Sequence, residues 1–195
     1  MAHETHFLTQ IFGSEEFTKE ETEIIISKFK KVILKKNDFF HEEGKIAQHY
    51  YFIQQGFARS YAVDAQGNDI TTNFYSMGDI LIDWYSFMLK TPALDYIQAL
   101  SECVSWQIDF GSFQQMFATI GSFRDAGRAR FATSYFQLKK QSVAMITQTA
   151  KERYLQLLID KPQIIQNVSL KHIATYLGIT DTSLSRIRKE IAENS

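Results

Sequence analysis

The stretch from Ser169 to Ile191, SLKHIATYLGITDTSLSRIRKEI, constrains the fold more than any other part of this 195-residue chain. Ser169 can cap a helix, and the apolar residues after it recur at positions i, i+3, i+4 and i+7. They are Leu170, Ile173, Ala174 and Leu177. Gly178 tolerates the left-handed conformation that ends a helix, and Ile179 can fill the corner that follows. The pattern predicts one short helix and a sharp turn.

A second helix is predicted to begin at Thr180. Its apolar face carries Leu184, Ile187 and Ile191, which leaves a polar face pointing outward. That polar face is expected to carry Thr182, Ser183, Arg186 and Lys189. Two helices joined in this way form a helix-turn-helix, whose second helix enters the major groove of DNA.

Arg186 is the candidate base-reading residue, because a guanidinium can bond both acceptors on a guanine edge. Thr182 and Ser183 can serve bases or phosphates. The alternative is an ordinary helical hairpin with a solvated polar face. Small hydroxyl residues beside an arginine suit a groove better than they stabilise a helix.

The charge distribution favours DNA contact by the back of the chain only. From Arg124 onward there are twelve Lys and Arg against six Asp and Glu, whereas the preceding part has nine against sixteen. The overall charge of -1 conceals a basic third behind an acidic front. No apolar run is long enough to span a membrane, the first residues do not resemble a signal peptide, and Cys103 is the single cysteine. We expect a cytoplasmic protein without disulfides and without membrane contact.

The sequence pattern from about Val32 to Asp109 is typical of an all-β region. Short runs of β-branched and aromatic residues are separated by turn signals, and the segment around Gly67 predicts a hairpin. Ahead of this region, Ser14 and Thr18 are candidate helix caps. Many short, evenly spaced strands favour a sandwich or jelly roll.

After Gly111 the pattern becomes helical. A long helix from about Phe123 to Ile146 carries Phe131, Tyr135, Leu138, Ser142 and Met145 at intervals of four and three. This stripe could pack on its own β domain, or on the same helix of a second subunit. We favour the dimer, because a helix linking two domains has few other surfaces to cover it. A further helix, Thr149 to Asp160, ends before Pro162.

This order of elements resembles the Crp/Fnr family of bacterial transcription regulators over nearly the whole chain. The likeness rests on Gly67, on Met77-Gly78-Asp79, on the segment 150–154 (AKERY) and on LGITDTSLSRIRK from Leu177. It implies an α+β protein with an N-terminal cyclic-nucleotide-binding-like β-roll or jelly-roll sensor domain (1–120), a dimerisation helix (121–147) and a C-terminal winged helix-turn-helix (148–195).

The resemblance also implies a DNA-binding surface. By position, the base-contacting face falls on Asp181, Thr182 and Arg186, with Ser169, Lys171 and Thr180 near phosphates. Asp181 departs from the basic residue that is common at its position, because a carboxylate cannot bond the guanine acceptors. We therefore expect an operator that differs from the best-known ones.

The sensor pocket departs further from the family pattern. Where the family has a Gly-Glu pair for the ribose, this chain has Ile82-Asp83, and the region of the expected phosphate-binding arginine, Pro92 to Ile97, contains none. A buried phosphate without a cation costs several kcal/mol. We expect no tight binding of cyclic AMP or cyclic GMP and no cofactor. The candidate effector residues are Arg59, Asp83, Trp84, Tyr85 and Tyr96.

The residues taken together predict a non-enzymatic regulator that binds a palindromic site on double-stranded DNA as a homodimer, with RNA polymerase as a further candidate partner. The alternatives are a cupin-like β-roll enzyme and a protein-interaction module with a helical hairpin. The histidines offer no pair at metal-ligand spacing, and we find no nucleophile with a base.

Overall fold

The computed structural model describes residues 6–193. Two short helices, α1 (His6–Phe12) and α2 (Lys19–Ser27), precede the first strand. Thr18 caps α2 through a reciprocal capping box with Glu21. Ser14 caps no helix and lies in the intervening turn, where its carbonyl accepts from the Phe17 N–H. Of the two predicted caps, the one at Thr18 is confirmed.

Eight antiparallel strands follow within the described residues. They are β1 (Lys30–Leu34), β2 (Phe39–His41), β3 (His49–Gln55), β4 (Ala58–Val63), β5 (Asp69–Tyr75), β6 (Ile80–Leu81), β7 (Tyr96–Ala99) and β8 (Cys103–Asp109). One sheet has the order β1-β8-β3-β6 and the other β2-β7-β4-β5. Gly67, with a φ of +84°, turns the β4–β5 hairpin as predicted. The two four-stranded sheets form the expected β sandwich.

The sandwich has two apolar cores. Small and branched residues fill the space between the sheets, among them Ile53, Leu81 and Ile97. A second, aromatic core lies where α1 and α2 pack on the outer face of the first sheet, around Phe12 and Phe52. Cys103 is a free thiol that is fully buried in the first core.

A short helix interrupts the region that the sequence predicted to be all-β. Helix α3 (Trp84–Leu89) begins because Asp83 accepts a hydrogen bond from the Ser86 N–H, and it ends at Lys90, whose φ is +55°. The cap residue was visible in the sequence. The six-residue helix is too short for its periodicity to stand out.

The second half of the described chain is helical. Helices α4 (Phe110–Thr119) and α5 (Gly121–Thr147) lead to α6 (Ala150–Asp160), α7 (Pro162–Asn167), α8 (Leu170–Tyr176) and α9 (Asp181–Glu193). Helix α6 ends immediately before Lys161-Pro162, as predicted. Pro162 then opens α7, where its missing N–H is tolerated.

The wing of the predicted winged helix-turn-helix is absent from the described residues of this domain. Residues 150–193 form four helices and no strand. Helix α9 occupies the described chain as far as Glu193, so no described residues remain after it to form a hairpin. Within the described residues, the C-terminal part is therefore a helix-turn-helix on a two-helix base.

Candidate nucleic-acid interface

The turn between α8 and α9 has the predicted geometry. The Ser169 hydroxyl accepts a hydrogen bond from the His172 N–H at 3.4 Å and caps α8. Gly178 ends the first helix with a φ of +67°, and a Cβ at this position would lie 3.2 Å from the Met145 side chain. The positive φ is what favours glycine here, and a Cβ would also press on the end of the Met145 side chain.

Helix α9 has one buried and one exposed face. Leu184 is fully buried, and Ile187 and Ile191 pack on the same core as Ile173 and Ala174 of α8. On the opposite side, the exposed residues at spacing i, i+3, i+4 and i+7 are Thr182, Ser185, Arg186 and Lys189. We call these four residues the recognition face.

Ser183 does not belong to this face, although the sequence analysis placed it there. It is half-buried, its N–H donates to the Thr180 hydroxyl at 3.2 Å, and the two hydroxyls lie 3.0 Å apart. Ser183 thus helps Thr180 to cap the helix. Ser185 was missed, although its position three residues after Thr182 indicates the exposed face.

Charged groups surround the recognition face. Asp181 is exposed at the first position of α9, where a carboxylate interacts favourably with the helix dipole. Lys171, Arg186 and Arg188 are exposed. Lys189 lies 3.7 Å from Glu193, in a surface ion pair that is weak enough to exchange for a phosphate.

Arg153 stabilises the turn between α8 and α9, although the sequence analysis did not name it as a site residue. From α6, its guanidinium donates to the Leu177 carbonyl at 2.6 Å and to the Gln148 carbonyl at 2.5 Å. One side chain therefore satisfies the carbonyls that end α5 and α8. Its place in the segment 150–154 that carried the family resemblance was the available signal.

The helical domain packs against the outer face of the second sheet. The Phe74 and Tyr176 rings lie 5.1 Å apart, and Phe74 is fully buried in the core of the helix-turn-helix. His172 lies at this contact, and burial, Arg59 and Lys171 lower its pKa to about 4. The imidazole is therefore neutral at neutral pH.

Helix α5 exposes a long apolar surface in its second half. The predicted dimer residues Phe131, Tyr135 and Leu138 have relative exposures of 53%, 57% and 64%. Met145 is 43% exposed and also contacts Gly178. Phe136 and Ile146, which were not predicted, are among the most exposed large apolar residues on α5. The larger part of this surface is unused within the single chain.

The five predicted effector residues occupy separate surroundings. Arg59 is 2% exposed, pairs with Asp69 at 2.7 Å and lies 4.0 Å above the Tyr61 ring. Tyr96 also stacks on that ring, with 4.9 Å between centroids. Because Asp69 already neutralises Arg59, this guanidinium is not a spare cation for a ligand phosphate.

The other three belong to α3 or its cap. Asp83 is the N-cap of the helix. Trp84 packs edge-on against Tyr50 and Phe131, and Tyr85 is 51% exposed. The structure does not bring the five residues together into one pocket.

A polar cluster lies instead at the end of the sandwich beside β5. The Ser60 hydroxyl lies 2.8 Å from that of Thr72 and 3.4 Å from that of Tyr75. Asp95 bonds Thr72, and burial, together with the charges of Asp83 and Glu43, raises the pKa of Asp95 to about 7. The electrostatics of this cluster disfavour an anion.

Residues 6–193 contain neither a candidate metal-binding group nor a helix that could cross a membrane. No group of three or more His, Cys, Asp or Glu side chains in residues 6–193 could hold a metal ion. None of the helices in this range is both long and apolar enough to cross a bilayer.

Comparison with known proteins identifies the N-terminal part. Residues 31–120 match the model of the cyclic nucleotide-binding domain. No curated protein sequence matches the chain.

Solved structures match over most of the chain. FixK2 from Bradyrhizobium japonicum has a TM-score of 0.74 at 16% identity, with 85% of each chain covered. CLP, a c-di-GMP-responsive global regulator from Xanthomonas campestris, has a TM-score of 0.69 at 15% identity, with 91% of this chain and 93% of that chain covered. A protein from Eubacterium rectale described as a Crp/Fnr-family transcriptional regulator gives 0.70 at 14%, with 92% and 85% covered.

The class of protein follows from these matches and from the geometry. The chain consists of a cyclic nucleotide-binding domain, a long connecting helix and a helix-turn-helix. This is the fold of Crp/Fnr-type regulators, as the sequence resemblance predicted.

Proposed function

We propose that the protein is a transcription regulator that binds a palindromic DNA site as a homodimer, with α9 in the major groove. The recognition face is the observation that carries this proposal. Thr182, Ser185, Arg186 and Lys189 are exposed together on a helix held rigidly by a buried core. In a helix-turn-helix the second helix meets base edges and phosphates, and two hydroxyl residues and two cations on one exposed face supply the donors for both.

The roles of the polar residues follow from their positions. Arg186 is the candidate guanine reader, and Thr182 and Ser185 lie beside it for base edges or phosphates. Ser169, Lys171 and Thr180, near the start of the two helices, are placed for phosphate contacts. Ser183 contributes indirectly by capping α9.

The experiment selects bound DNA from a random pool and measures affinity for the selected sequence as salt is varied. Arg186→Ala should weaken binding by about 1–3 kcal/mol and relax the preference at one position of each half-site. Lys171→Ala should weaken all sequences alike and reduce the salt slope by about one. If no sequence is enriched, the proposal is refuted.

The exposed half of α5 supports the dimer. Pairing two such helices would cover Phe131, Tyr135 and Leu138 and place two recognition helices for the two halves of a palindrome. We expect Leu138→Glu to give a monomer in analytical ultracentrifugation, whereas Lys139→Glu, a charged change at the adjacent position, leaves the dimer intact. A monomeric parent protein would contradict this arrangement.

The division of labour we propose is a sensor in residues 1–120, a dimer helix in 121–147 and a DNA-binding domain in 148–195. Asp95 is partly buried near the charges of Asp83 and Glu43, and Arg59 is paired with Asp69. We therefore infer that the effector is not cyclic AMP or cyclic GMP. Calorimetric titration with cyclic AMP should show no binding, and a micromolar Kd would contradict the inference.

A further inference from the structure

Strand β5 touches the helix-turn-helix through Thr71. The Thr71 N–H donates to the Thr175 hydroxyl at 3.3 Å, and the two threonine hydroxyls lie 3.1 Å apart. Thr71 is 3% exposed, so this contact is sealed from water. A buried N–H that donates to a side chain of another domain favours one position of that domain, because losing the bond would leave a buried donor without this partner.

The next residue, Thr72, touches the two other parts of the chain. Its hydroxyl lies 2.8 Å from that of Ser60, which is buried in the β domain, and its side chain also bonds Asp95. Its carbonyl accepts from the Gln141 amide of α5 at 3.1 Å. Two adjacent residues thus contact the DNA-binding domain, the sensor interior and the dimer helix.

The backbone at this point is irregular. Ser60 pairs with Asn73 and Tyr61 with Thr71, so Thr72 is the extra residue of a β-bulge. A bulge interrupts the ladder and lets a strand bend where a regular pair would resist. Movement of Thr72 can therefore shift Thr71 without breaking the rest of the sheet.

The far end of β5 is also tied to the helical domain. The Lys161 ammonium donates to the Phe74 carbonyl and lies 3.6 Å from the Asp79 carboxylate. Together with the Phe74–Tyr176 contact, this joins the helix-turn-helix to the strand at both ends. The recognition face stays exposed in this docked arrangement.

We propose that strand β5 couples the polar cluster of Ser60, Thr72 and Asp95 to the DNA-binding domain, with the bulge at Thr72 as the point where the two meet. The docked arrangement is the one that binds DNA, so a change that frees Thr72 loosens α8 and weakens binding. The expected effect on DNA binding rests on the proposed function, whereas the coupling between Thr72 and α8 can be tested without DNA. Coupling of this kind is reciprocal, so DNA binding in turn orders Thr72.

The test measures hydrogen exchange of the α8 amides in the full chain. Ser60→Ala removes the hydroxyl on β4 that bonds the Thr72 hydroxyl. Ser105→Ala is the matched control, since Ser105 is an equally buried serine on β8 whose hydroxyl has no partner among the described residues. We expect Ser60→Ala to speed exchange over residues 173–177 about three- to fivefold, the effect of one lost hydrogen bond, and Ser105→Ala to leave it unchanged. Unchanged exchange in Ser60→Ala, or an equal increase in both variants, overturns the coupling.

A second arm uses DNA selected from a random pool. Ser60→Ala should weaken binding about two- to fivefold without changing the salt slope, since no phosphate contact is lost. Wild-type affinity in a variant whose α8 exchange has increased would overturn the link to DNA. If no DNA is selected but exchange responds to Ser60→Ala, the coupling stands and the proposed function fails.

Discussion

Replacing Asp95 by Asn should stabilise the protein in a pH-dependent manner. The carboxyl has a pKa of about 7 in the folded chain against an ordinary value of 3.8, because it is buried beside Asp83 and Glu43. Below pH 3.8 the folded and unfolded states are both protonated, and the residue costs nothing. As the pH rises towards 7 the unfolded state ionises first, so stability falls, and above pH 7 the full cost is present.

The magnitude follows from the separation of the two pKa values. Each unit corresponds to 1.36 kcal/mol, which gives a bound of about 4 kcal/mol at pH 8 and about 1.5 kcal/mol at pH 5. Because Asp95 is partly exposed, solvent screens part of this cost, and we expect Asp95→Asn to gain about 1–3 kcal/mol at pH 8. The gain at pH 5 should be less than half of that.

Urea denaturation followed by tryptophan fluorescence provides the measurement, since Trp84 and Trp106 both lie in the N-terminal domain. Asp64→Asn is the control with the opposite sign. Hydrogen bonds from Asn68 lower the pKa of the Asp64 carboxyl, so its removal should destabilise, and more so at pH 8 than at pH 3. An equal effect of Asp95→Asn at pH 5 and pH 8, or a loss of stability at pH 8, would refute the electrostatic reasoning.

Three further changes test the helical domain. Leu184→Ala removes a fully buried side chain from the helix-turn-helix core and should cost about 2–5 kcal/mol in thermal or urea unfolding followed by circular dichroism. Gly178→Ala forces a side chain into a left-handed turn and against Met145, so it should cost more than about 1 kcal/mol by the same measurement, whereas Gly121→Ala, at a half-buried position without a positive φ, should not. Thr149→Val deletes the capping box of α6 and should cost about 1 kcal/mol, and Thr133→Val, whose hydroxyl bonds only its own helix, should cost less.

The sequence predicted best where local rules decide the structure. The helix-turn-helix was predictable because Ser169 indicates a helix cap, Gly178 a turn, and Leu184 belongs to an apolar pattern with helical period. The hairpin at Gly67 followed in the same way. Both depend on residues that are close together in the chain.

What the sequence could not predict depends on contacts between distant elements. Arg59 was a candidate ligand cation on its alternating strand, and only the fold shows Asp69 beside it. Arg153 lies 24 residues from the Leu177 carbonyl that it satisfies. Ser183 and Ser185 are serines two positions apart in α9. The hydrogen bond between Ser183 and Thr180 shows that Ser183 caps the helix, whereas Ser185 lies on the recognition face.

The placement of charge explains why the helix-turn-helix domain is easier to interpret than the N-terminal domain. In the recognition face, cations and hydroxyls are exposed, so their chemistry is available to a partner outside the chain. In the N-terminal domain, Arg59 is already paired with Asp69, and Asp95 is partly buried near the charges of Asp83 and Glu43. A ligand in that cluster would have to compete with a network of Ser60, Thr72 and Asp95 that already holds β5 in place. According to the coupling proposed above, an effector that enters this cluster displaces Thr72 and thereby loosens the contact between β5 and the helix-turn-helix.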